Sequence, residues 1–233
     1  MLHPSHRIKP NHITFILLVL SATLFILQNL SQLWFGIDIL IIYGAKINAA
    51  LDRYQLWRLL TPVFLHASIL HIGFNMYALY VLGPSIERIF GRWLFLALYL
   101  LSGCYGNLFS YWFTPGISLG ASTAVFGLIA AQAVFIYRNR EFYGPRARPL
   151  LTNIGMILLV NLFLGLSPGI DNWGHMGGLL GGLAFSWFTV PRLGVWESES
   201  GNRIVAQLSH QPWKVVILMA GIVLVLAMLP KYF

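Results

Sequence analysis

The sequence predicts an all-α polytopic membrane protein, and its composition and its apolar segments carry that prediction. Of 233 residues, 58% are hydrophobic and only 9% are charged, and the mean hydropathy is +0.72. A soluble domain carries roughly 25% charged residues, so this chain has too few charges to cover a surface that faces water. Seven apolar segments are also long enough to cross a hydrocarbon core about 30 Å thick. They span residues 13–35, 67–86, 93–113, 121–137, 149–167, 174–190 and 213–230.

Charge predicts how the remaining segments are arranged. Residues 36–66 are too charged to span a bilayer and too apolar for a simple linker, so we expect them to lie at the membrane interface. Eleven of the 15 lysines and arginines fall on the side of the N-terminus, which predicts that this side is cytoplasmic. The predicted order is a cytoplasmic tail (1–12), a six-helix core (13–190), a loose cytoplasmic linker (191–212), and a seventh helix with a short external tail (213–233).

The first apolar run is longer than the core of a signal peptide and lacks a small-residue cleavage site, so we expect a retained helix. We therefore expect an integral multi-pass protein of a bacterial cytoplasmic membrane, in contact with the lipid bilayer. The net charge of +8 does not indicate a nucleic-acid partner, because the basic residues sit in short loops and form no continuous patch. The single cysteine, Cys104, allows no disulfide within the chain.

Three polar residues in the predicted helices lie at one depth. Each is 16 residues from the cytoplasmic end of its apolar run: His71 before Glu87, Ser122 before Arg138 and His175 before Pro191. At 1.5 Å per residue this is about 24 Å from the cytoplasmic edge, just beneath the outer face of the core. Asn75 follows His71 by one helical turn, on the same face. Polar groups in a membrane are costly, so this common level indicates a functional site.

The residue types at this level suit acyl transfer. A serine hydroxyl needs a nearby base, for which a neutral imidazole is the commonest choice, so Ser122 and His175 are a candidate catalytic dyad. His71, Asn75 and the backbone N–H of Ser122 are candidate donors to an oxyanion. Small residues let helices approach closely, and Gly178 and Gly182 form a GxxxG face that follows His175.

Each residue also has a simpler interpretation. Ser122 could be a helix cap, and His175 could be an interfacial, hydrogen-bonded residue. His66 and His71 could be metal ligands, although their spacing on a helix is poor for chelation. Asp171, four residues before His175, could complete a triad, but the surrounding loop is typical of a turn and a cap. The catalytic interpretation depends on the combination, and it predicts no metal and no cofactor.

The chain resembles the rhomboid intramembrane serine proteases over roughly residues 50–190. Four motifs carry the resemblance: Trp57-Arg58, HASILHIGFN from His66 to Asn75, GASTAVFG from Gly120 to Gly127, and GHMGGLLGG from Gly174 to Gly182. The resemblance implies a rhomboid-like six-helix catalytic core with one transmembrane helix added at its C-terminus. It also implies that Ser122 is the nucleophile, that His175 is the base, and that His71 and Asn75 belong to the oxyanion hole.

By the same resemblance, Gly120 is the first glycine of the family's GxSG motif. Trp57 and Arg58 match a structural motif of the interfacial loop, and Phe126 occupies the position of an aromatic residue that packs against the base. Two residues depart from the family pattern. Thr123 stands where the glycine after the nucleophile is usual, which we expect to reshape the pocket, and Phe126 replaces the tyrosine of some members.

The sequence thus predicts an intramembrane serine endopeptidase that cleaves transmembrane protein substrates in or near the outer leaflet. A catalytically silent rhomboid-like protein that binds transmembrane clients is one alternative, and a transporter lined by the same polar residues is another. Neither the substrate nor the oligomeric state follows from the sequence.

Overall fold

The computed structural model describes residues 12–198, 201–207 and 211–229, so most of the predicted N-terminal tail and of the external tail lies outside it. Seven long helices follow one another in the described part. They are α1 (His12–Phe35), α4 (Ile69–Phe90), α5 (Arg92–Phe113), α6 (Ser122–Arg138), α8 (Ala147–Leu164), α9 (Asn172–Thr189) and α10 (Pro212–Met228). Three short helices lie between them: α2 (Ile39–Gly44), α3 (Asn48–Leu51) and α7 (Arg140–Tyr143).

The all-α fold class is confirmed, and each predicted span coincides with a long helix whose ends differ by no more than four residues. By length and hydropathy alone, four stretches of the described residues could cross a membrane: α1, α4, α5 and Arg140–Leu164. Helices α6 and α10 are apolar but shorter, with 17 residues each. Helix α9 is 18 residues long and carries His175 among its glycines. Helices α6 and α9, which carry Ser122 and His175, are thus outside these four stretches, whereas α4, which carries His71 and Asn75, is one of them.

Helices α5, α6 and α9 pack together as the centre of the bundle, and α1, α4, α8 and α10 surround them. One buried carboxylate joins two of the outer helices. Glu87 of α4 accepts hydrogen bonds from the backbone N–H groups of Ile13 and Thr14, at 3.0 and 2.9 Å, and from the Thr14 hydroxyl at 2.7 Å. It thereby satisfies donors that the first turn of a helix leaves unpaired.

The segment after α9 is not a loose linker. Strands β1 (Arg192–Ser198) and β2 (Gly201–Gln207) form an antiparallel hairpin in which Leu193 pairs with Ala206 and Val195 pairs with Ile204. The signal was present in the sequence, because two runs with β-branched residues flank a turn rich in serine and glycine. Two charged residues of this segment, Glu197 and Glu199, had suggested a linker instead.

Candidate active site

Helix α6 begins at Ser122, and the backbone before it is arranged for a close approach to α4. Gly120 has a φ of +126°, and its N–H donates a hydrogen bond to the Pro62 carbonyl at 2.9 Å. A Cβ atom at this position would lie 2.6 Å from Nε2 of His71, so only glycine fits. This turn brings the first N–H groups of α6, which have no partner within the helix, to the same place as the His71 ring.

Ser122 and His175 are in direct contact. The Ser122 Oγ and the His175 Nε2 are 2.9 Å apart, a hydrogen-bond distance. His175 lies in the first turn of α9 and is buried. Its ring is stacked on the ring of Phe126, with a centroid distance of 4.4 Å and an interplanar angle of 8°. Phe126 lies one turn after Ser122 on α6, so a single helix carries the serine and the platform that holds the histidine ring.

The glycines of α9 make this contact possible. A Cβ atom on Gly178 would overlap the backbone carbonyl of Thr123, and one on Gly182 would overlap the backbone of Gly127. The GxxxG face therefore lies directly against the backbone of α6, as expected for a motif that lets helices approach closely.

Thr123, the residue that departs from the family pattern, is buried between helices. Its Cβ lies 2.5 Å from where a Cβ atom on Gly106 of α5 would be, and its Cγ2 lies 3.2 Å from where one on Gly174 would be. The extra side chain thus fills the space that glycines leave on α5 and α9.

His71 and Asn75 both face Gly120. The Nδ1 atom of His71 accepts a hydrogen bond of 3.4 Å from the N–H of Ala67. In a neutral imidazole the other nitrogen then carries the proton, so Nε2–H points toward the turn that precedes Ser122. The side-chain amide of Asn75 donates to the His71 carbonyl at 3.0 Å, which fixes its orientation beside the ring.

Trp57 and Arg58 organise the segment between α1 and α4. The buried Arg58 guanidinium donates to the carbonyl oxygens of Ala45 and Ile42, each at 2.7 Å, and the Trp57 indole donates to the Tyr43 carbonyl at 3.0 Å. These carbonyls lie at or next to the C-terminal end of α2, where helical carbonyls lack partners. Their contacts hold this segment to the end of α2.

Lys46 is a residue whose role the sequence did not indicate. It is fully buried, and its Nζ donates to the carbonyl oxygens of Ser110, Thr114 and Gly116, at 2.8 to 3.2 Å. A cation there is favoured by the dipole at the C-terminal end of α5. The amphipathic pattern of residues 36–66 placed this lysine at the interface, whereas the free carbonyls that bind it become visible only in three dimensions.

Asp171 caps α9 rather than extending the dyad into a triad. Its Oδ1 accepts hydrogen bonds from the Gly174 N–H at 3.0 Å and from the Thr114 hydroxyl at 2.8 Å. The Nδ1 of His175 has no hydrogen-bond partner among the described residues. Within that part of the chain the Phe126 ring, and no carboxylate, orients the histidine.

The acidity of Asp171 yields a testable prediction. Burial acts to raise the pKa of its carboxyl group, but the hydrogen bonds from the Gly174 N–H and the Thr114 hydroxyl, together with the nearby hydroxyls of Ser110 and Ser118, outweigh it, and the net pKa lies below the usual value. Because the pKa is lower in the folded state than in the unfolded chain, the ionised carboxylate stabilises the fold at pH values above the unfolded pKa of about 3.9. This contribution is lost as the pH falls from there through the pKa of the folded state. Asparagine keeps an oxygen that can cap the helix and removes only the charge, which is worth about 0.3–1 kcal/mol at a helix N-terminus. We therefore expect Asp171→Asn to lower the melting temperature at pH 7 by about 1–4 °C.

Thermal unfolding in detergent at pH 7 and at pH 3.5 tests this prediction. The difference between wild type and Asp171→Asn should shrink at the lower pH, because the aspartate of the unfolded chain is then largely protonated. Glu141→Gln, at an exposed carboxylate on α7, is the matched control. If the melting temperatures of wild type and Asp171→Asn differed by the same amount at both pH values, the charged cap would be contradicted.

His66 and His71, which were considered as metal ligands and not favoured, lie next to each other. The rings of His66 and His71 pack edge to face at a centroid distance of 5.2 Å. Burial is the main cause that lowers the pKa of His66 to about 4. No group of three or more His, Cys, Asp or Glu residues suited to a metal ion occurs in the described ranges.

Comparison with known proteins gives a consistent family. The rhomboid domain model matches residues 53–192. The chain is 36% identical over 195 residues to rhomboid protease GluP of Bacillus subtilis, covering 83% of this chain and 37% of that protein. It is 34% identical to RHOMBOID-like protein 1 of Arabidopsis thaliana over 78% of this chain and 48% of the relative.

Rhomboid-like protease 1 of Toxoplasma gondii is 39% identical over 63% of this chain and 52% of that protein. The chain thus spans between about a third and a half of the length of these relatives. The matched region contains Ser122, His175, His71 and Asn75 and extends from the loop before α4 to the end of α9. This chain belongs to the rhomboid family of membrane proteins.

Proposed function

We propose that the protein is an intramembrane serine endopeptidase in which Ser122 is the nucleophile and His175 the general base. The observation that carries the proposal is the 2.9 Å contact between Ser122 Oγ and His175 Nε2, made inside a helical bundle. Two of the relatives are named as proteases, which supports the same reaction class. The chain carries the two side chains that a dyad needs.

The chemistry follows from the contact. The neutral imidazole of His175 accepts the proton of Ser122 as Oγ attacks the carbonyl carbon of a peptide bond. The imidazolium then donates this proton to the amine that leaves, and an acyl-enzyme on Ser122 remains. Water, deprotonated by His175, hydrolyses the ester and restores the serine. The stacked Phe126 ring keeps the imidazole in place through all of these steps.

Three donors near Ser122 could stabilise the oxyanion of the tetrahedral intermediate. They are the Nε2–H of His71, a side-chain N–H of Asn75 and the backbone N–H of Ser122 at the start of α6. The dipole of α6 adds a favourable field, because an N-terminal helix end attracts negative charge. Donors of this kind are worth about 10²–10³ in rate each.

The site lies at the N-terminal ends of α6 and α9, and Ser122 and His71 are only half-buried. We propose that these ends lie beneath the outer face of the membrane, with the N-terminus cytoplasmic and the C-terminus external. Hydrolysis needs water, which a shallow site admits more easily than the centre of a bilayer. Substrates would be transmembrane segments of other proteins that reach this level.

A fluorophosphonate probe tests the proposal, because it reacts only with an activated serine. We expect the purified protein to be labelled, and we expect Ser122→Ala to abolish the labelling. Ser102→Ala, which removes another buried serine of the bundle, is the matched control and should be labelled like the wild type. Absence of labelling in the wild type would favour a client-binding protein, and labelling that survives Ser122→Ala would assign the nucleophile elsewhere.

A further inference from the structure

An apolar groove lies between α6, α8 and α9, at the end of α6 that is remote from Ser122. Its volume is about 480 Å³, and the groove is largely open along one side. Three helices line it, with Ala133 and Tyr137 from α6, Leu151 from α8, and Ala184 and Trp187 from α9. Tyr137 follows Ser122 by four helical turns, or about 22 Å at 1.5 Å per residue, so the groove is separate from the candidate active site.

Among the long helices of the described residues, α8 packs mainly on α6. Ala147 and Ile154 of α8 join a buried cluster with Val125, Ile129 and Ile136 of α6. Contacts between α8 and α9 are sparse, so the two helices leave a gap. The small side chains of Ala133 and Ala184 give this gap its depth.

Two arginines lie on the aromatic rings that line the groove. The Arg138 guanidinium is 5.3 Å from the centre of the Trp187 ring and donates a hydrogen bond to the Trp187 carbonyl. The Arg140 guanidinium is 5.1 Å from the centre of the Tyr137 ring. The two rings are themselves stacked, with a centroid distance of 6.2 Å. Both cations are therefore held at the mouth of the apolar groove.

A third arginine is brought to the same place by a buried asparagine. The Asn139 side chain donates to the Pro191 carbonyl at 3.1 Å and accepts from the Leu193 N–H at 2.7 Å. Arg192 lies between these two residues and is close enough to Arg138 for their positive charges to repel each other. Residues 138–148 also contain Arg146 and Arg148, and their one acidic residue is Glu141. This end of the groove therefore has an excess of positive charge.

We propose that the groove binds an anionic phospholipid, with one acyl chain between α6, α8 and α9 and the phosphate on Arg138, Arg140 and Arg192. Arginine binds phosphate oxygens through paired N–H groups, and basic pockets between transmembrane helices favour anionic head groups. Tyrosine and tryptophan suit the level where head groups meet acyl chains. The charge complementarity selects the anionic lipid, since a zwitterionic one brings a positive charge of its own.

Lipid binding to the purified full-length protein tests this proposal without any measurement of proteolysis. Native mass spectrometry would compare phosphatidylglycerol with phosphatidylcholine of the same acyl chains. We expect retention of phosphatidylglycerol in preference to phosphatidylcholine. Arg138→Gln/Arg140→Gln should weaken the binding of phosphatidylglycerol roughly 25-fold, since each basic residue near a lipid surface contributes roughly fivefold.

Arg88→Gln/Arg92→Gln is the matched control, because these arginines lie near the junction of α4 and α5 and do not line the groove. This variant should bind phosphatidylglycerol like the wild type. A second variant, Ala184→Trp, fills the groove while leaving the arginines in place, and it should also lose the lipid; Ala22→Trp on the exposed face of α1 should not. The melting temperature of each variant without lipid verifies that it is folded.

Three results would overturn the proposal. They are equal binding of both lipids, unchanged binding by Arg138→Gln/Arg140→Gln, and unchanged binding by Ala184→Trp. Inorganic phosphate that displaced phosphatidylglycerol at equal concentration would also contradict it, because the acyl chain would then contribute nothing.

Discussion

Replacement of His175 with alanine is expected to lower the rate of substrate cleavage by about 10⁴-fold or more. The Ser122 hydroxyl is a weak nucleophile until a base accepts its proton, and His175 Nε2, at 2.9 Å, is the base that contacts it. The experiment measures cleavage of a model transmembrane substrate by liposomes that contain the wild type, Ser122→Ala or His175→Ala. Because the two residues act as a unit, the double variant should be no slower than either single variant.

The controls for this prediction separate the dyad from its surroundings. His12→Ala, at an exposed histidine that begins α1, should cleave like the wild type. Asn75→Ala should lose about 10²–10³ in rate, the usual effect of one oxyanion donor, and should therefore remain measurably active. A His175→Ala variant that kept a tenth of the wild-type rate would refute the assignment of the base.

Replacement of Gly178 with alanine is expected to impair both the fold and the site. The added methyl group would overlap the Thr123 carbonyl, which belongs to the backbone of α6 and cannot rotate away. Helices α6 and α9 must then separate next to the dyad. Overpacking of this kind costs about 1–3 kcal/mol in the free energy of unfolding, and occasionally more. A displacement of 1 Å at reacting groups can cost about 10²-fold in rate, so we expect a loss of cleavage of that order.

Glycines elsewhere in the bundle provide matched controls. A Cβ atom on Gly155 of α8 or on Gly221 of α10 would meet nothing within 4 Å. Alanine favours a helix over glycine by up to about 1 kcal/mol, so Gly155→Ala and Gly221→Ala should be at least as stable as the wild type. Unfolding in detergent and cleavage in liposomes would be measured in parallel, at a temperature where all variants are folded. Wild-type cleavage by Gly178→Ala would show that the close helix contact is not needed.

The long helices could be predicted from the sequence because each depends on a local property, a run of apolar residues of sufficient length. The contacts around Lys46 and Arg58 could not be predicted. Lys46 binds carbonyl oxygens at the C-terminal end of α5, which is distant in the sequence. Arg58 binds carbonyl oxygens at the end of α2, a short helix that the sequence did not mark as a separate element. The hairpin at 192–207 was not predicted, because Glu197 and Glu199 indicated a linker more strongly than the two short strand patterns indicated strands.

Part of the site could be predicted for a different reason. Equal spacing from the helix ends predicted that Ser122, His175 and His71 lie at one depth, and this prediction needs only distances along the chain. A common depth does not specify, however, which way each side chain points around its helix. The stacking of His175 on Phe126 depends on how α6 and α9 are rotated relative to each other, and it was expected only from the family resemblance. The cap formed by Asp171 was the favoured interpretation of its loop, because that loop is typical of a turn.

Thr123 illustrates how the meaning of one position depends on others. Its side chain fits because Gly106 and Gly174 have none at the points of contact. A side chain at position 106 would meet Thr123 and also the backbone carbonyl of Gly174, which would lie 2.7 Å from the added Cβ atom. The glycine on α5 is therefore required by two neighbouring helices at once, and a glycine at 123 would remove only one of the two clashes. From α6 alone Thr123 is a departure from the family motif, although a glycine of α5 provides the space for its side chain.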